Sequence, residues 1–322
     1  MTELRTITPQ DVIDMRGAMY GDDVKISRAE MEKLFAVAET AAPDSCMEWT
    51  QFFTEAGADH LVYQVEPEGY LSEENATWLL DRITKDGNVC VRSELELLIR
   101  VLEKSRSVPA GVVTFALQQV AEAVLNGTGP LAFGGSLKSG VITKDEVDLV
   151  RRIIHAMGDD SNIGIDQEEA EMLFLLNDRS IHAENDPSWN DLFVRAVANY
   201  VVGNARPAAP TVQDQMRWKA ALEDNTGFFA RAARGTSEGW TRTIKKTVFG
   251  KRQPSEAELR NRAYEAETKA AETVTSREAV WLADKINRDG ALHKNELDLL
   301  KFIKEISPSI DDSLTPLIKR VA

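Results

Sequence analysis

Cysteine is scarce in this chain. Cys46 and Cys90 are its only two in 322 residues, too few and too far apart for a disulfide framework or a thiolate zinc site. Buried thiols in a reducing compartment are the expectation. Histidine is as sparse: His60, His155, His182 and His293 show no ligand spacing of the HExxH kind. A P-loop, a GxSxG elbow and a dinucleotide-binding glycine fingerprint are also missing, so no enzymatic chemistry is expected. Apolar runs long enough to span a bilayer are lacking. The opening MTELRTITPQDV has no basic stretch leading into an apolar one. The expectation is a cytoplasmic protein. Positive charge is in deficit, with 38 Lys and Arg against 52 Asp and Glu, a net −14. That disfavours generic nucleic-acid binding and favours cations or basic partners. Hydrophobic residues are plentiful at 43%, enough to build one large core or two to three smaller ones.

The chain also contains one pattern four times: apolar helix, turn, short apolar bridge, acidic residue, apolar helix. The first copy starts at Ile7 and the second at Leu71. They align without a gap: Met15 with Leu79, Met19 with Ile83, Asp22 with Asp86, Glu30 with Glu94. The third starts at Ile142 and the fourth at Val274. In each, apolar residues recur at helical spacing, as in Ala76, Leu79, Leu80 and Ile83 or Ala279, Leu282, Ala283 and Ile286. Thr8, Ser72, Thr143 and Thr275 stand where a helix N-cap belongs. Thr143–Glu146, Thr275–Glu278, Ser27–Glu30 and Asp166–Glu169 have capping-box spacing. Gly87 and Gly290 sit where the chain must reverse.

A third helix is expected after each pair. EWTQFFTEAGADHLV from Glu48 and SWNDLFVRAVANYVV from Ser188 match at a shift of 140, pairing Trp49 with Trp189 and Phe53 with Phe193. The first and third copies therefore resemble each other most. The predicted fold is all-α: four helix–loop–helix units with added third helices, arranged as two pseudo-duplicated lobes. The boundaries read as an N-terminal lobe over 1–126, a Gly/Ser-rich linker over 127–140, and a C-terminal lobe over 141–203 plus 273–322. Between the third and fourth units lies an insert, 204–272. It carries 13 basic and 9 acidic residues, a net +4 that leaves −18 on the remainder. Within it Trp240, Ile244 and Val248 recur every fourth residue beside Lys245 and Lys246. Such a stripe suits a helical partner, an anionic membrane surface or the acidic lobes themselves. A solvated linker is the plainer reading.

The helix–turn–helix units with a closing Glu resemble degenerate EF-hands, and also the acidic helical repeats of tellurite-resistance TerB-type proteins. The EF-hand resemblance implies weak Ca²⁺ binding through loop oxygens. In copy three it nominates Asp160, Asn162, Asp166 and Glu169; in copy four Asn287, Asp289 and Glu296; in copy two Asp86 and Glu94. Each copy departs from the rule. Copy four has Lys285 where the first carboxylate belongs, and copy three has Ile163 where the glycine belongs. Copy two has one residue too many between Gly87 and Glu94, and copy one has Val24 for the glycine. The same residues make capped turns without an ion. The functional expectation is a non-enzymatic binding protein acting through weak divalent-cation or helical-partner binding. The alternatives are a metal-free helical scaffold or interaction protein and a membrane-peripheral adaptor anchored by the insert.

Overall fold

The computed structural model describes residues 4–20, 25–85, 88–89, 91–109, 111–127, 131, 139–156, 165–202, 274–286, 288, 291–307 and 309–321. The fold is all-α, apart from a two-residue antiparallel ladder that pairs Thr84 with Val89 and Lys85 with Asn88. In the first half α1 is Pro9–Met19, α2 Arg28–Ala38, α3 Met47–Ala58, α4 Glu73–Ile83, α5 Arg92–Lys104 and α6 Val112–Asn126. A π-turn, Asp59–Tyr63, extends α3. In the second half α7 is Lys144–Ala156, α8 Gln167–Arg179, α9 Ser188–Val201, α10 Ser276–Ile286 and α11 Lys294–Ile306. A short α12, Thr315–Ile318, closes the chain between two 3₁₀ turns. Among the described residues no helix is long and apolar enough to cross a membrane.

The helices begin where capping chemistry starts them. Ser27 Oγ accepts from the Glu30 N–H while the Glu30 carboxylate accepts from the Ser27 N–H, and Asp166 with Glu169 does the same. Each reciprocal pair satisfies two donors that a helix start otherwise leaves open. Thr143–Glu146 follows the expected spacing, with the Thr143 N–H 2.8 Å from Glu146 Oε2. Thr8 forms a further box with Asp11, which a search for Glu alone overlooks.

The helix pairs are closed at their open ends. Arg5 bridges Ala41, Tyr70 bridges Ser107, and Val274 bridges Ile310, each by a single parallel contact. The chain ahead of α7 is held in a related way: Asp186 N–H donates to the Ile142 carbonyl at 2.8 Å, as Cys46 N–H does to Ile7 at 3.0 Å. Cys46 itself is half-buried, more open than its composition class suggested.

The buried apolar faces form one continuous core through both halves. In the first half α3 packs most heavily on α5; in the second, α9 packs on α11. The halves meet through α5 and α6, which lie against α7 and α8. Arg152 on α7 crosses this junction, bonding Glu96 at 2.9 Å and Glu103 at 2.7 Å on α5. Burial alone would weaken its charge, but the hydrogen bonds it donates to Glu103 and Glu96, with their negative charge, outweigh that and raise its pKa.

Candidate functional site

The nominated closing glutamates sit at helix starts. Glu94, Glu169 and Glu296 are all buried, at 3%, 8% and 3% exposure. The Glu169 Oε2 accepts from the Asp166 N–H at 3.0 Å, and Asp166 Oδ1 accepts from the Glu169 N–H at 2.9 Å. Glu296 Oε2 accepts from the His293 N–H at 2.8 Å, a capping role that its His-x-x-Glu spacing did not advertise. Glu30 holds the Ser27 N–H at 2.8 Å and the Ser27 hydroxyl at 2.7 Å, and these bonds draw its pKa down. A bidentate Ca²⁺ ligand turns both oxygens to the ion. In Glu30, Glu169 and Glu296 one oxygen is on the backbone instead. Asp86, Asp160, Asn162, Asn287 and Asp289 lie outside the described residues.

The surroundings of Glu296 carry positive charge. Arg179, Lys285 and Arg288 line a hollow of about 290 Å³ beside it, with Asp178. Lys285 is largely buried and lies 3.5 Å from Glu171. Three cations around one nominated carboxylate oppose a dication there. Among the described residues no group of three or more His, Cys, Asp or Glu side chains is arranged to hold a metal.

The apolar bridge residues have their backbone groups satisfied from within their own half. The Ile26 N–H donates to Gln64 Oε1 at 2.9 Å, and the Val89 N–H to Gln119 Oε1 at 2.8 Å. The Ile26 carbonyl lies 2.7 Å from His60 Nδ1. Two glutamines from different parts of the chain thus do the same task at Ile26 and Val89. A buried N–H needs such a partner.

Behind these turns the same aromatic arrangement occurs twice. Phe35 meets Phe53 edge-on at 5.2 Å and Trp78 edge-on at 5.7 Å. Phe174 meets Phe193 edge-on at 5.1 Å and Trp281 edge-on at 5.6 Å. Trp49 lies against Phe53, and Trp189 against Phe193. The His60 ring caps Trp78, where Tyr200 caps Trp281. Arg82 bonds Glu32 at 3.0 Å over the Phe35 ring; Lys285 bonds Glu171 over the Trp281 ring. Even the defects recur: the indole N–H groups of Trp49 and Trp189 are both buried without a protein acceptor.

The second half differs in one respect that the sequence reading missed. A polar ladder runs from the core outward, from buried Asn177 on α8 through half-buried Asn295 on α11 to half-buried Asn190 on α9, at 2.7 and 2.6 Å. Asn177 occupies the place of Ala38 on α2, both fully buried. Its signal was available: an Asn in an apolar register position. Beside the ladder, Asn185, Asp186, Asn190, His293, Lys294 and Trp189 line a hollow of about 340 Å³. Asp186 caps the start of α9 through Ser188, and the Ser188 hydroxyl and N–H hold its pKa low. A third hollow, of about 400 Å³, lies between α6, α8 and the end of α10.

The nominated partner-binding residues Trp240, Ile244, Lys245, Lys246 and Val248 lie outside the described residues, as does the insert as a whole. Comparison with protein-family models, with curated proteins and with solved structures finds no match for this chain.

Proposed function

We propose that this chain is a non-enzymatic helical interaction protein whose turns keep their form without metal. Four helix–loop–helix units, paired as two duplicated lobes, make its framework. The paired aromatic geometries support the duplication. Phe35 and Phe174, Phe53 and Phe193, and Trp78 and Trp281 reproduce each other's distances to within about 0.1 Å. Chance packing of unrelated helices has no reason to repeat a ring cluster, its capping ring and its flanking ion pair together.

The single observation that carries the metal-independent reading is the position of the closing carboxylates. Glu30, Glu169 and Glu296 accept hydrogen bonds from cap N–H groups. Those bonds stabilise the second helix of the unit by themselves, by about 1 kcal/mol for a cap of this kind. An EF-hand-like shape thereby persists after its ion-binding use is gone. Interaction with a protein partner is the use that an acidic surface on a continuous core suits best.

Calorimetric titration of the full chain with Ca²⁺ tests this reading. The expected result is no heat beyond dilution up to millimolar Ca²⁺. Saturable heat that disappears in Asp160→Ala would restore a working Ca²⁺ loop in the third unit and overturn it.

A further inference from the structure

The polar hollow of about 340 Å³ is walled by the loop that follows α8 and by the first turns of α9 and α11. That size is at the lower end for a small-molecule site. Its walls hold unmet groups of both kinds. Trp189 lines it and is only 1% exposed, yet its indole N–H is buried with no acceptor. Buried donors are normally matched. Lys294 lines it from the first position of α11, where the backbone N–H groups have no intrahelical acceptor. An ammonium, an indole N–H and a helix start together favour a carboxylate.

The acceptors are as well defined. Asn190 Nδ2 donates to Asn295 Oδ1 at 2.6 Å and to Asp298 Oδ2 at 3.2 Å. A carboxylate only accepts, so the amide orientation is fixed. Asn190 Oδ1 is left with no donor among the described residues. Glu184 adds a full negative charge from the loop after α8. The other acid of the lining, Asp186, is already answered. Ser188 donates to it twice, and Lys144 and Arg151 are close enough to help lower its pKa. Glu184 and Lys294 have no such answer: among the described residues neither makes an ion pair, with each other or with any third group.

A simple anion here would face Glu184, and a simple cation would face Lys294. A molecule carrying both charges meets both. We propose that this hollow binds a small zwitterion of the amino-acid class. Its carboxylate lies toward Lys294 and the Trp189 N–H, its ammonium toward Glu184 and Asn190 Oδ1. The Asn177–Asn295–Asn190 ladder ties α8, α11 and α9 together at the wall, so the site is formed before a ligand arrives. In the first half the positions aligned with Asn190 and Asn295 hold Thr50 and Ser93, which cannot build that ladder. The inference goes beyond the reading of the protein as an interaction module and does not depend on it, since this site needs neither a metal nor a protein partner.

Calorimetric titration of the full chain in EDTA with each of the twenty standard amino acids tests the proposal. Saturable heat with a Kd of about 1 mM or tighter is expected for at least one. For that ligand, Lys294→Met and Glu184→Gln should each weaken binding about tenfold, as for a lost charge-assisted contact. Both side chains are exposed, so neither change disturbs the core. Analogues separate the two contacts. The ligand's carboxamide should lose its dependence on Lys294, and its N-acetyl derivative its dependence on Glu184. In NMR spectra the Trp189 indole N–H resonance, assigned with Trp189→Phe, should move on binding, and that of Trp49 should not. No saturable heat with any of the twenty would overturn the proposal. So would binding undiminished by one or both substitutions, an analogue that keeps the dependence it should lose, or a shift at Trp49 in place of Trp189. Because the titrations run in EDTA, their failure leaves the metal-independent framework standing, and a Ca²⁺ response leaves them interpretable.

Discussion

Single carboxylates and one imidazole carry the most testable chemistry. Replacing Glu169 by Ala should cost about 1 kcal/mol in urea unfolding, the usual cost of a lost cap, and the loss should be the same with and without Ca²⁺. Glu169→Gln keeps an acceptor oxygen for the Asp166 N–H and should cost less. A ligand role would instead make the loss appear only in Ca²⁺. His60 gives a pH signature. Its burial holds its pKa below the ordinary 6.5, helped by the nearby Arg28 charge and opposed by the bond to Ile26. The folded state therefore prefers the neutral ring. Its contribution is complete above pH 6.5 and declines as the pH falls from there toward the lower folded value. Unfolding free energy should fall between pH 7 and 5, and His60→Gln should flatten that slope. A slope unchanged in the variant would place the titration elsewhere. Several of these roles were legible beforehand: Ser27–Glu30 and Asp166–Glu169 were readable as boxes because spacing alone defines them. His293–Glu296 was not, since His is an uncommon cap. Asn177 was passed over because its one-position departure from an apolar stripe looks like noise until a partner such as Asn295 is seen on α11.

Among the elements, α2 with α3 and α8 with α9 form comparable cages, so equivalent cuts should hurt equally. Phe35→Ala and Phe174→Ala should each destabilise by about 3–5 kcal/mol, the range for a buried aromatic truncated to Ala, and chemical denaturation measures both. A difference beyond that range would show that the two ring clusters support unlike structures. The helices themselves were readable because their apolar periodicity is strong, and Trp49, Trp78, Trp189 and Trp281 all pack into or against the core. Helix order across space was less legible. Nothing in the local pattern says that α3 should pack on α5 rather than on α4, or that α6 should lie against α7 and α8. Those choices depend on which buried surfaces match in shape, and that information is distributed over many residues.

At the scale of the molecule, the described halves share one core, and most of the Gly/Ser-rich stretch 127–140 lies outside the described residues. Arg152 joins the halves through Glu96 and Glu103 while still about one-third exposed. Arg152→Leu should therefore cost only about 1 kcal/mol, as for a partly screened pair, with the α5, α6, α7 and α8 packing left to hold the junction. Urea unfolding should stay a single transition in the wild type; two separated transitions would mean that the halves unfold independently. The most direct measurement of the central claim, that carboxylates shut the helix starts and no ion is needed, is thermal unfolding of the full chain in EDTA and in millimolar Ca²⁺. An ion at ten times its dissociation constant would add about 1.4 kcal/mol, a shift of a few degrees. The account predicts superimposable melting curves, whereas a Ca²⁺-dependent rise that vanishes in Asp160→Ala would contradict it.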